Sequence, residues 1–150
     1  MIYSYSTGFQ TVSTSSDLLT IVDDTTHIGC KLCRVAISSN ESGFSQGLQI
    51  QLMSFSTGSV GTGGVSLSED FYISDDLPVV PNATRNTTAL HTGTSRTLYE
   101  DCFDHQMGWV WEPLEELIPS IGYHLVVRLP TAPSPAVMLN VSALVKYHLI

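Results

Sequence analysis

Two well-separated stretches of this chain are apolar at every second residue, and that period decides what it can fold into. Between Gln46 and Phe55, Leu48, Ile50 and Leu52 alternate with Gln49, Gln51 and Met53. Near the C-terminus, Leu139, Val141, Ala143, Val145 and Tyr147 alternate with Asn140, Ser142, Leu144, Lys146 and His148. Successive side chains of a strand point to opposite faces, so a period of two is the mark of a half-buried β-strand. Between Ile28 and Ser39 the apolar positions run Ile28, Cys30, Leu32 and then Val35, Ile37. The phase slips by one residue near Cys33-Arg34, and a β-bulge there restores it.

Tyr3 to Val12, Asp17 to Val22, Arg96 to Phe103, Gly108 to Trp111 and Tyr123 to Leu129 are rich in β-branched or aromatic residues and predict further strands. Turn chemistry separates them at Ser13 to Ser16, Asn40 to Gly43, Gly58 to Gly64, Asp75 to Pro78 and Pro130 to Pro135. The glycine run reads as a mobile loop, and Asn82 to Thr88 as an extended polar connection. Pro113 to Leu117 is the one short helical candidate. No internal repeat or linker is visible, so residues 1–150 form one domain. About eight short strands predict an all-β antiparallel sandwich of the jelly-roll type, with a closed barrel as the structural alternative.

Composition narrows the function classes. Only 13% of residues are charged, against about 25% in an ordinary soluble domain. A surface of Ser, Thr, Asn and Gly suits packing against partners, because few charges need desolvating. The formal charge of −8 repels phosphate backbones and argues against direct nucleic-acid binding. Met1 to Ser6 lacks the basic start and apolar run of a signal peptide, and no stretch approaches the ~20 apolar residues of a membrane span. The expectation is a chain made in a cytoplasm, with no membrane partner.

Chemistry-bearing motifs are sparse. Cys30 and Cys33 have CxxC spacing, but no second pair follows, and buried apolar thiols are the expected role of all three cysteines. Gly61-Thr62-Gly63-Gly64 lacks the Gly-Lys-Ser/Thr ending of a phosphate loop. His27, His91, His105, His124 and His148 stand singly, without metal-chelating spacing. Asp104 and His105 are strand neighbours and should point to opposite faces. Asp23-Asp24 and Asp75-Asp76 read as solvated turns, and the Asn-x-Ser/Thr triplets at Asn40, Asn82, Asn86 and Asn140 as chance matches. No cofactor or metal is expected, and no acid, base or nucleophile set emerges. Trp109 and Trp111 share one strand face. Inward they anchor a core, which is favoured, and outward they centre an interface. Arg128, the lone charge in an apolar strand, must reach solvent or pair with a carboxylate.

The block Glu100-x-Cys102-Phe103-x-x-x-x-Gly108-Trp109-x-Trp111-x-Pro113, then Glu115-Glu116, then Leu125-Val126-Val127-Arg128-Leu129-Pro130, resembles small structural proteins of tailed bacteriophages and prophages. The resemblance implies a virion β-domain, foremost a capsid cement or decoration protein seated as a trimer on the major capsid protein at the head exterior. The rival expectations are a tail or fibre domain binding a host-surface glycan beside Trp109 or Trp111, and a β-sandwich hydrolase. Candidate interface residues are Tyr3, Tyr5 and Phe9 of the opening strand, Asn82, Arg85 and Asn86 of the polar arm, and Trp109 and Trp111; the Gly58 to Gly64 loop is a further candidate.

Overall fold

The computed structural model describes residues 2–22, 27–56, 61, 63–67, 70–71, 82–113 and 124–149. Along the chain come β1 (Ile2–Ser6), β2 (Gln10–Val12), β3 (Ser16–Val22), β4 (His27–Ser38), β5 (Gly47–Phe55) and β6 (Val65–Leu67). Then follow β7 (Asp70–Phe71), β8 (Asn82–Thr87), β9 (Ser95–Asp104), β10 (Trp109–Trp111), β11 (His124–Leu129) and β12 (Val137–Leu149). They form two six-stranded antiparallel sheets, and no helix occurs among the described residues. The first sheet is ordered β10-β4-β12-β1-β7, with β2 also on β12; the second is β6-β8-β3-β11-β5-β9. The expected all-β antiparallel sandwich is what the chain forms.

The alternating residues do what their period requires. Leu48, Ile50 and Leu52 of β5 enter one continuous core with Leu139, Val141, Ala143 and Val145 of β12, joined by Leu19, Ile21, Val35, Ile37, Leu125, Val127 and Leu129. Because these residues come from both sheets, the core lies between them. Each fully buried aliphatic side chain contributes roughly 1.5–3 kcal/mol, whereas an exposed pair such as Arg34–Glu112 adds about 0–1 kcal/mol. Apolar burial therefore sets the fold. The bulge lies where the phase slip put it: Leu144 pairs with Arg34 and Val145 with Leu32, leaving Cys33 as the extra residue.

Several expectations need correcting. The Tyr3 to Val12 segment is two strands, since Gly8 adopts a φ of 68° and Thr7 caps β1 by exchanging hydrogen bonds with the Val141 backbone. The Asn82 to Thr88 arm is no exposed connection. It is β8, hydrogen-bonded between β6 and β3, with Ala83 and Thr87 buried. Gly61 lies so close to Ala89 and Thr87 that a β-carbon there would overlap both, so this glycine serves close packing rather than mobility. Cys102 is exposed and Cys33 half-buried, so these two thiols are not core residues. The helical candidate over 114–117 and the acidic turns at 23–24 and 75–76 lie outside the described residues, as do 58–60 and 62 of the glycine run.

The second sheet is buried on part of its outer face as well. Met53, Phe55 and Val126 form a small cluster of their own on the side opposite Leu52 and Val127. The outer face of β5 thus changes from exposed Gln49 to buried Met53 and Phe55.

Candidate functional site

On one side of the sandwich two strands each have a single neighbour among the described strands. Among the described strands, β10 ends the first sheet and β9 ends the second. An aromatic stack joins them: the Tyr99 ring lies 6.3 Å from Trp109 and 6.0 Å from Trp111, and Phe103 lies 6.3 Å from Trp109. Trp109 Nε1 donates to Asp101 Oδ2 over 3.1 Å. These cross-layer contacts hold the two edges in one surface, here called the seam.

The tight turn after β9 shapes the seam. Asp104 O accepts the amides of Met107 and Gly108, and Asp104 Oδ1 accepts that of Gln106. Gly108 takes a φ of 76°, and a β-carbon there would sit 2.9 Å from Ile37 O. The turn therefore projects Met107, which is 86% exposed; Val110, on the face of β10 opposite Trp109 and Trp111, is 56% exposed, and Tyr99 is 41% exposed. Open edges offer unpaired backbone groups, and apolar side chains beside them supply desolvation energy.

The sequence-selected residues are dispersed. Tyr5 is fully buried in the core and presents nothing to a partner, because alternation in β1 turns it inward. Trp109 is 8% exposed, so its ring is a core anchor, while Trp111 packs half-buried against the same core. Arg85 is committed internally: its Nη1 donates to Thr7 O over 2.7 Å, linking β8 to the opposite sheet. Phe9 is exposed beside Gly8. Tyr3, Asn82 and Asn86 lie in β1 and β8, and their side chains are outside the described residues. Only the tryptophans come together. Sequence reasoning missed Tyr99, Met107 and Val110, although the Gly108 turn and the alternation of Trp109, Val110 and Trp111 carried the signal for Val110.

A second constellation sits on the outer face of the second sheet. Asp17, wholly buried, accepts from Arg128 Nε at 2.7 Å and, through its other oxygen, from the His91 amide at 2.6 Å. Arg128 Nη2 donates to His91 O over 2.8 Å. Both backbone ends of His91 are thereby held by one ion pair. Its ring meets the Phe55 ring edge-on at 4.4 Å, and its Nε2 lies 3.2 Å from His124 Nδ1. Burial lowers the pKa of both histidines, and for His91 the neighbouring His124 and Arg128 add to the effect against the attraction of Asp17.

Elsewhere, Asp104 ends β9 and His105 begins the turn after it, so strand alternation does not govern the pair. Asp104 accepts from the Ser45 hydroxyl, while buried His105 accepts the Gln46 amide at Nδ1 over 3.0 Å. No group of three or more His, Cys, Asp or Glu that could hold a metal is gathered among the described residues. Comparison of the chain with protein-family models, with curated proteins and with solved structures gives no match.

Proposed function

We propose that this chain is a structural virion protein of a tailed phage, a cement protein that binds the outside of the head through the β9–β10 seam. The observation that carries the reading is the seam itself: two strands that each end a sheet among the described residues, joined by the Tyr99–Trp109–Trp111 stack, with exposed Met107 in the turn before β10 and exposed Val110 within it. A protein that binds only the assembled shell stabilises it by mass action, and a trimer fits local threefold positions of a shell.

Strand order supports a jelly-roll setting. With β1, β3, β4, β5, β9, β10, β11 and β12 as the frame, the observed neighbours include β1 with β12, β3 with β11, β4 with β10 and β5 with β9. First pairs with last, second with seventh, third with sixth and fourth with fifth, as in a long hairpin rolled into two sheets. The phage setting rests on the resemblance of the Glu100 to Pro113 block, which contains most of the seam. A glycan-binding role is less well supported, since Trp109 is buried and its N–H is already bonded to Asp101.

The test is co-sedimentation of the purified protein with empty heads of the encoding phage, together with its mass by light scattering. A saturable stoichiometry, lost in Met107→Glu and Val110→Glu, is the expected result. Absence of binding, or equal binding by both variants, overturns the assignment of the seam.

A further inference from the structure

We propose that His91 and His124 form an acid-releasable clasp that holds the 88–94 segment on the outer face of the second sheet. The inference does not depend on the virion reading. It starts from the hydrogen-bond arithmetic of the two rings. Among the described residues the buried His91 Nδ1 has no hydrogen-bond partner, while His91 Nε2 faces His124 Nδ1 at 3.2 Å. A neutral imidazole carries one N–H, and a buried N–H without an acceptor costs more than a buried lone pair. His91 therefore carries its proton on Nε2 and donates it to His124 Nδ1, which places the His124 proton on Nε2.

Both possible protonations penalise this arrangement. A proton on His91 Nδ1 creates a buried donor with no acceptor and a cation near Arg128. A proton on His124 Nδ1 sets two donors against each other at 3.2 Å. Among the described residues the charged groups facing the pair are Asp17 from β3 and Arg128 from β11, while β5 contributes the uncharged Phe55 ring. Asp17 cannot rescue the cation by turning to it, because both its oxygens already accept from Arg128 and the His91 amide. Acid thus acts at the side-chain contact of a segment whose backbone Asp17 and Arg128 also hold, and release exposes more of Phe55, which His91 covers together with Arg128 and which is otherwise 2% exposed.

Amide exchange on the intact chain tests the clasp. The His91 amide, bonded to Asp17, reports the segment, and the Val127 amide, in the middle of the sheet, reports the fold. Corrected for intrinsic rates, protection at His91 is expected to fall about tenfold or more between pH 7.5 and 5, the change that one unit of unmet protonation produces, with Val127 the better protected of the two at both pH values. In the double variant His91→Gln, His124→Gln the pH response of residue 91 is expected to vanish. A His91 amide equally protected at both pH values overturns the proposal, as does a fall that persists in full in the double variant, since His105 or another histidine would then be responsible. Should the double variant not fold, nitrogen-15 imidazole spectra of the native chain decide. Two neutral Nε2–H rings at pH 6.5 support the clasp, and a charged ring at that pH overturns it.

Discussion

Arg128 and Asp17 form a charge-assisted pair, Nε to Oδ1 at 2.7 Å, inside the second sheet, where Asp17 has no exposed surface and the Arg128 side chain has 13%. The register sets them opposite each other across the bulge between β3 and β11. A buried pair of this kind is weak evidence for net stabilisation against an apolar substitute, but breaking it leaves an uncompensated charge. Its position beneath His91 makes it the base on which the 88–94 segment rests.

Asp17→Ala is therefore expected to destabilise the fold by about 3–5 kcal/mol, the range for removing one partner of a buried pair. Asp17→Asn, which keeps an acceptor for the His91 amide, is expected to lose less. Urea midpoints for the two variants check the order, and equal losses would show that the charge, rather than the acceptor for the His91 amide, carries the contribution.

At the seam turn, Gly108→Ala places a β-carbon in the left-handed region and 2.9 Å from Ile37 O. The conformation alone costs roughly 1–2 kcal/mol, and the backbone contact adds to it. The expected outcome is a loss of about 2 kcal/mol in thermal or urea unfolding, with a red-shifted tryptophan emission as Trp109 is loosened. A neutral result would mean that β10 can move away from β4.

Core and seam residues should separate cleanly. Ile50→Ala, at a site with no exposed surface, is expected to cost about 2–5 kcal/mol by transfer and cavity terms. Val110→Glu, in β10, is expected to stay within about 0.5 kcal/mol of the parent and, under the proposed virion role, to abolish head binding. Parallel unfolding and co-sedimentation measurements distinguish the two roles.

Stability should depend on pH through the histidine pair. Both folded pKa values lie below the ordinary 6.5 because burial penalises the imidazolium. Just below pH 6.5 the unfolded chain binds more protons than the folded one, so folding stability is complete above 6.5 and is lost as pH falls toward the lowered values. Asp104 acts in a more acidic window: the Ser45 hydroxyl and then the Gln106 amide hold its carboxyl below 3.8, so its contribution persists until pH drops past the usual carboxylate range. Urea midpoints at pH 8, 6.5 and 5 check the histidine window, and a flat profile would contradict it.

How much of this was legible beforehand follows from which residues interact along the chain and which across it. The period of Leu48, Ile50 and Leu52 named an inner face directly, and the slip between Leu32 and Val35 located the Cys33 bulge. β8 was not legible, since Asn82-Ala83-Thr84-Arg85-Asn86-Thr87 has no apolar alternation and becomes a strand only because β3 and β6 satisfy its backbone. For Arg128 the sequence left two outcomes, and the structure selected pairing, with a partner 111 residues away.

The sequence alone determined the class of fold and most of its core, because side-chain alternation is a local property of each strand and needs no knowledge of its neighbours. Tertiary structure alone decided the rest: that Tyr5 faces the core, that Tyr99 meets Trp109 and Trp111 across two sheets, and that Asp17, His91, His124 and Arg128 converge on one face. Those relationships depend on strand order and register, which are set by long-range backbone pairing and the packing of one sheet on the other, and no short window of sequence encodes either.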